Sequence, residues 1–202
     1  MKPFSIYKNR IILFSILVLI TALCTDCRRF VIKRIMIGTK LEGMNLSGVD
    51  FYNLNLEKIN LSRAKLIRTN FSFAILKNAK FINADLREAD LGSADLSGAD
   101  LRGANFRNAD LRNAILRKAN LIDAYFYEAN LIGADLREAM MVAGITGETD
   151  MAGIQEKINR GEMIYYAHLR HADLEGAAIS VKWKKFVEQQ NVRNFDKIIW
   201  SK

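Results

Sequence analysis

Three groups of residues in this 202-residue sequence have types and spacings that could do chemistry. Cys24 and Cys27, the only cysteines, form a C-x-x-C pair, a spacing used for dithiol redox work or for half of a zinc site. His168 and His171, the only histidines, straddle Leu169 and would offer two outward imidazoles to a metal. Arg102, Arg107, Arg112 and Arg117 recur every five residues, with Arg87 and Arg137 in the same phase, as an anion-binding belt would require. Each group also has a plainer reading. The cysteine pair ends an apolar run, with no helix start and no second pair, so it reads as two small residues beside a processing site. The histidines lack a third ligand nearby in sequence, so surface imidazoles are the default and a metal-binding module at His168 and His171 stands as an alternative. The arginines interleave with Asp85, Asp90, Asp95, Asp100 and Asp110, and exposed pairs of that kind are ordinary solvated surface. The sequence contains no nucleophile elbow, H-E-x-x-H, Walker loop or dinucleotide fingerprint. The expectation is a chain without catalytic, metal-binding or cofactor-binding residues, and not an enzyme.

The charge is placed unevenly. Residues 1–40 carry eight Lys/Arg against one Asp, residues 41–140 thirteen of each sign, and residues 141–202 nine against eight. The formal +8 is therefore mostly an amino-terminal property, and the body of the chain is neutral. Lys2, Lys8 and Arg10 precede an uncharged, mostly apolar run from Ile11 to Thr25. As a helix it would span roughly 22 Å against about 30 Å of bilayer hydrocarbon, which is short for a span and normal for a signal-peptide core. Ala22-Leu23-Cys24 provides small residues two apart for cleavage, whereas Leu23 is large for processing that acylates Cys24. Arg28, Arg29, Lys33 and Arg34 resist translocation and favour an uncleaved anchor. Residues 1–27 are thus expected to be a signal peptide or membrane anchor, placing the protein at the cell envelope through residues 11–25.

The elements that must carry any site come from a repeat. From Leu41 to Leu136 every fifth residue is Leu or Phe, and two positions earlier each residue from Ala74 to Ala139 is Ala. The residue before the centre is usually Asp or Asn, and the two after it are polar or Gly. An α-helix would step such leucines roughly 140° around its axis per repeat, leaving no apolar stripe. A long flat strand would alternate their faces. A short extended segment followed by a bend satisfies the pattern. Residues two apart then face the same way, so Ala and Leu/Phe point inward, and stacked coils pair their backbones at about 4.8 Å.

This A-(D/N)-L-x-x run resembles the pentapeptide-repeat family over residues 39–141 and, less regularly, over Ala167–Val181. The resemblance implies an all-β solenoid, a right-handed quadrilateral β-helix with four pentapeptides per coil and about five coils. Residues 28–40 are expected to form an amino-terminal cap, and 41–141 the main β-helix. Residues 142–166 break the pattern, and Asp150 and Gly161 bracket a short helical insertion. Residues 167–181 restore three units in a shifted phase, centred on Leu169, Leu174 and Ile179. Residues 182–202 carry Trp183, Phe186, Val187, Phe195, Ile198 and Ile199 at helix-compatible spacing, which predicts a helical cap over the last coil.

The functional expectation is a structural, protein-interaction scaffold with an unidentified protein partner and membrane attachment through its amino end. One coil places Ile115, Ile122, Tyr125, Tyr127 and Ile132 outside, an apolar band that segments 142–166 and 182–200 should cover and whose bare part would serve a partner or a homodimer. The family resemblance also brings an alternative: a cytosolic DNA mimic that binds a type II topoisomerase. Mimicry demands a strongly negative rod, which the neutral body disfavours. Direct nucleic-acid binding is disfavoured too, because the basic residues concentrate in the targeting segment.

Overall fold

Each five-residue unit makes one corner of a square. The carbonyl of the inward Leu or Phe accepts a hydrogen bond from the N–H three residues on, as from Met44 to Leu41 at 3.1 Å and from Ala177 to Leu174 at 3.0 Å. The residue two after the centre has positive φ, the requirement of the turn type that reverses the chain most tightly here. Gly98 supplies it at 68°, but Lys58, Glu88 and even Phe73 adopt it at 61°, 59° and 61°. The computed structural model of the chain describes residues 41–141 and 167–202, and Leu41–Lys202 forms one compact unit. The expected targeting segment 1–27, the cap 28–40 and the helical insertion 142–166 lie outside the described residues.

Four corners close one coil, and parallel bridges join residues 20 apart. They define four sides. The first climbs through Asn45, Lys65, Asp85, Asn105, Tyr125 and His168, and the second from Asp50 to Asp173 and Arg193. The third runs through Asn55, Ile75, Asp95, Ile115, Asp135, Ala178 and Ile199, and the fourth from Asn60 to Met140. Bonds run both ways between rungs: Leu46 N–H donates to Lys65 at 2.8 Å, and Lys65 N–H donates back to Met44 at 2.8 Å. The result is the right-handed quadrilateral β-helix that the family resemblance implied.

The interior is filled by the two inward positions. Every centre from Leu61 to Ile179 and every small residue from Ala74 to Ala177 is closed to solvent. Phenylalanines stack where they fall 20 apart: Phe51 on Phe71 at 5.0 Å and Phe106 on Phe126 at 4.9 Å between ring centroids. Thr69 takes a small-residue position with a hydroxyl, and its buried Oγ1 donates to the Leu46 carbonyl at 3.0 Å. That bond removes the penalty of an unpaired polar group in the core.

The break in sequence is not a break in the coil. Tyr125 pairs with His168 and Asn130 with Asp173, steps of 43 residues in place of 20. The chain therefore makes a 23-residue excursion at a single corner, between the fourth and first sides. Its ends meet, because Ala167 N–H donates to the Met141 carbonyl at 2.7 Å, the bond that closes every ordinary corner. The shifted phase of Leu169, Leu174 and Ile179 is the arithmetic trace of that excursion, and Ala167, Ala172 and Ala177 resume the small inward positions.

The carboxyl end is only partly the expected helical cap. Strand β1 (Asp135–Leu136) pairs with β2 (Ala178–Ser180), and a 3-10 turn over Val181–Trp183 leads into a single short helix, α1 (Lys184–Glu188). Trp183, Phe186 and Val187 are buried there, and the Trp183 Nε1–H donates to the Ala139 carbonyl at 3.0 Å. Beyond α1 the chain has no further α-helix, only a 3-10 turn over Phe195–Lys197. Asn191 and Asn194 turn it with φ of 50° and 55°, Arg193 pairs with Asp173, and β3 (Ile199–Ser201) adds to β2 in parallel. The tail thus ends as part of a further coil, whose Arg193 and Lys197 carbonyls accept the N–H groups of Leu174 and Gly176 in the coil below.

Candidate interaction surface

Outward chemistry is built on the residue before each centre. An Asp or Asn there turns its Oδ1 back to accept the N–H of the residue after the centre, as Asp90 does from Gly92 at 2.9 Å and Asn70 from Ser72 at 2.9 Å. This local bond satisfies a turn N–H, which accounts for the Asp/Asn preference. It also fixes the carboxylate in place. Where the next residue is Arg, the guanidinium folds back onto the same carboxylate: Arg102 reaches Asp100 with Nε at 2.8 Å and Nη2 at 2.7 Å, and Arg87 reaches Asp85 identically. Arg112 and Arg137 close on Asp110 and Asp135. The guanidinium hydrogen bonds hold the carboxyls of Asp85, Asp100 and Asp135 below the usual range.

The arginine belt is therefore mostly a set of closed pairs. Arg107 follows Asn105 in place of an Asp and lies 5.1 Å over the Tyr127 ring, while Arg117 follows Ile115 and reaches Glu138 at 3.3 Å. The second side stacks Asp50, Asp90, Asp110 and Asp173, but Arg68, Arg87, Arg107 and Arg170 line the corner beside it. No dominantly negative side results from that mixture.

The histidines are ring partners of tyrosines one rung below. His168 stacks on Tyr125 at 4.5 Å with planes 4° apart, and His171 meets Tyr127 edge-on at 5.5 Å. Partial burial lowers the His168 pKa from its ordinary 6.5, against the pull of Asp123. Among the described residues no group of three or more His, Cys, Asp and Glu is placed to hold a metal, and Cys24 and Cys27 lie outside them. Of the five apolar outward residues, Ile115 and Tyr125 are exposed, and Ile122, Tyr127 and Ile132 are half-buried. The tail covers the open end of the coil and not this band: Trp183 and Phe186 pack inward, and Phe195 lies against Trp200 at 5.6 Å.

The spacing of 20 groups residues by side, which a reading along the chain groups by coil. Seen by side, the exposed apolar residues include several outside the band: Tyr52 touches Phe73 at 5.8 Å, and Ile75, Val181 and Ile199 are open to solvent. The signal for Ile75 and Ile115 is their spacing of 40, two full coils, whereas Tyr52, Phe73 and Val181 follow no such spacing.

Comparison with known proteins agrees with this geometry. No curated protein matches the chain. Among solved structures, HetL from the cyanobacterium Nostoc sp. strain PCC 7120, a pentapeptide-repeat protein involved in heterocyst differentiation regulation, is 26% identical with a TM-score of 0.50. That match covers 76% of this chain and 73% of HetL. A pentapeptide-repeat protein of the Arabidopsis thaliana thylakoid lumen is 38% identical over 49% of this chain and 69% of its own, with a TM-score of 0.49. The pentapeptide-repeat pattern itself matches in eight copies over residues 36–66, 64–103 and 104–141. With more than half its length accounted for by these copies, the chain belongs to the pentapeptide-repeat family.

Proposed function

We propose that this protein is a non-catalytic interaction scaffold of the cell envelope, carried there by its amino-terminal segment. The observation that carries the reading is the regular placement of the outer surface. Backbone bonds set every outward side chain in a 20-residue lattice, and Asx bonds and folded-back arginines fix many of the polar ones. Such a surface presents groups in constant positions, which suits recognition by contact. The likeness to HetL, a protein involved in regulation, fits a role of that kind. The envelope location rests on the apolar run from Ile11 to Thr25 and its basic flanks. No helix of the described residues is long and apolar enough to cross a membrane, and residues 11–25 lie outside them.

Two measurements test the proposal. A reporter fused to residues 1–30 should reach the membrane or pass it, and a soluble cytosolic reporter of unchanged length would reject the address. Photo-crosslinkers placed at outward positions on each side of the full chain, in its native host, should capture discrete protein partners from some sides and not others. Capture of none from any side would reject the scaffold.

A further inference from the structure

Eight large apolar side chains are exposed among the described residues, and six lie on the third side or along its edges. Ile75, Ile115 and Ile199 occupy bridge positions of that ladder, where the same ladder elsewhere has Asn55, Asp95 and Asp135. Tyr52 and Phe73 meet edge-on at the corner that leads into it, and Val181 follows β2 at the corner that leads out. Met140 is exposed on the fourth side, just past that second corner. The fold does not ask for these residues. Phe73 keeps a positive φ of 61° with 55% of its surface in water, a place where an aromatic ring gains nothing for folding.

Basic charge gathers on the edge between the third and fourth sides. Lys58, Lys77, Arg117, Lys118, Arg137 and Lys182 climb it, against only Glu57 and Glu138. Lys77 and Arg137 also hold Asp95 and Asp135 of the third side, and a positive excess still remains. Lys184 and Lys185 of α1 follow directly on Lys182, and all three are exposed. Pairing does not bury the edge: Lys58 and Lys118 keep 74% and 69% of their side-chain surface in water. No other edge is like it. The edge between the second and third sides balances Arg112 and Lys197 with Glu175 and Asp196, and the edge between the fourth and first balances Arg63 and Arg102 with Glu42 and Asp123. The arginines between the first and second sides stand beside the aspartates of the second, which outnumber their excess.

We propose that the third side and its basic edge form a face that lies on an anionic lipid surface, an inference that rests on the envelope reading above. A bilayer is a plane, and the ladder from Asn55 to Ile199 rises in one row of six steps, roughly 29 Å at about 4.8 Å each. A plane meets every rung of such a row at once, so Tyr52 near one end and Val181 and Ile199 at the other share the contact. Their apolar tips enter the boundary between headgroups and acyl chains, and the Lys and Arg side chains of the edge reach the lipid phosphates. Each basic residue near an anionic surface strengthens binding about fivefold. A nucleic acid would meet the same charge with phosphates but has nothing to bury Ile75, Ile115 and Val181. The amino-terminal run makes a modest affinity sufficient. Thr25 and Leu41 are 16 residues apart, a reach of roughly 55 Å at full extension, so a run inserted in a membrane keeps the rod at a high local concentration beside it.

The test uses the full chain on phosphatidylcholine vesicles, with or without about one-third phosphatidylserine, that carry nitroxide quenchers near the headgroups. The fluorescent residue dansylalanine in place of Ile75 or Ile115 reports the face, and in place of Asp90 or Asn130 it reports the second side. On the anionic vesicles the third-side probes should shift to the blue and be quenched, the second-side probes should not, and high salt should reverse the effect. The triple variant Lys58→Gln, Lys118→Gln, Lys182→Gln should lower the ratio of docked to undocked rod roughly hundredfold. Its thermal unfolding should barely move, because exposed pairs add little to stability. The double variant Ile75→Asn, Ile115→Asn, which copies Asn55 of the same ladder, should lower that ratio roughly tenfold. A chain held by the vesicles whose third-side probes stay unquenched, or are quenched no more than the second-side ones, overturns the face and leaves the envelope reading standing. Quenching as strong without phosphatidylserine also overturns it, as does shielding of positions 75 and 115 by duplex DNA and not by anionic vesicles. A chain that sediments with neither kind of vesicle removes both readings.

Discussion

The coils from Leu41 to Met141 and the terminal assembly from Ala167 to Lys202 obey one hydrogen-bond register by different means. In the first, each unit repeats its neighbour: two inward residues, the second almost always Leu or Phe, one turn and, in most units, one Asx bond. In the second, single side chains stand in for absent repeats. Gln190 Oε1 accepts the Leu169 N–H at 3.4 Å, Ser180 Oγ accepts the Glu138 N–H at 3.0 Å, and Trp183 closes over Ala139. Stability in a stacked solenoid is a sum of units and their interfaces. The regular coils thus spread their stability over many similar contacts, while the terminal assembly depends on a few unlike ones.

The largest expected effect breaks the regular region itself. Phe106→Asp places a carboxylate in a closed core stacked on Phe126, and the cost should exceed about 5 kcal/mol, enough to unfold the rod. Far-ultraviolet circular dichroism reads the loss, and a variant as stable as the parent would refute the inward assignment. Trp183→Ala comes next, at about 3–5 kcal/mol, but should act locally. Hydrogen exchange should quicken at Leu169 and Leu174 while amides between Leu61 and Leu101 keep their protection. Loss of protection everywhere at once would mean that the two regions do not differ as described.

Gly103→Ala sharpens the contrast from inside the rod. Gly103 has φ of 65°, and an added Cβ would collide with Asn83 Oδ1 one coil below. A loss of about 1–2 kcal/mol is expected from the conformational cost and that contact. Thermal denaturation checks it, and an unchanged midpoint would show that the Asn83 side chain yields freely.

The smallest effect separates the regions by pH. The Asp85, Asp100 and Asp135 pKa values are lowered from 3.8, chiefly by arginine hydrogen bonds, so their stabilisation holds above that value and is lost as pH falls through the lowered ones. The His168 pKa is lowered from 6.5 by burial, so the unfolded chain takes up that proton first and stability begins to fall as pH drops below 6.5. The terminal assembly should loosen at milder acidity than the coils beneath it. Both tryptophans, Trp183 and Trp200, belong to that assembly, so their fluorescence should change at a higher pH than the circular dichroism of the whole chain. Coincident transitions would count against the difference.

The regular region was legible because a period of five asks for a short extended segment and a bend, with Ala and Leu or Phe inward, and the family resemblance implied the four-sided, right-handed coil. The reason for Asp and Asn before the centre was not legible, since their bond to the turn N–H joins residues two apart in a geometry only the corner creates. The tail was misread beyond α1 because Phe195, Ile198 and Ile199 satisfy a helical period by coincidence. Asn191 and Asn194 were the available signal, being residues that accept the positive φ at which a helix ends. Grouped by coil, as the chain is written, the apolar surface does not bring Phe73 and Ile75 together with Ile115. Grouping by side places them two rungs from Ile115, beside the same ladder.

The hydrogen bond from Ala167 to Met141 has a consequence for how such a chain can diversify. It holds the two stems of the excursion as close as the stems of a plain corner, so the coil above is blind to how many residues pass between them. Closure entropy grows only with the logarithm of length, and doubling the segment would cost about 0.6 kcal/mol. Corners of this fold are therefore ports at which foreign sequence can be grafted or exchanged. Length and composition at such a port are free to drift while the rod that carries it stays the same.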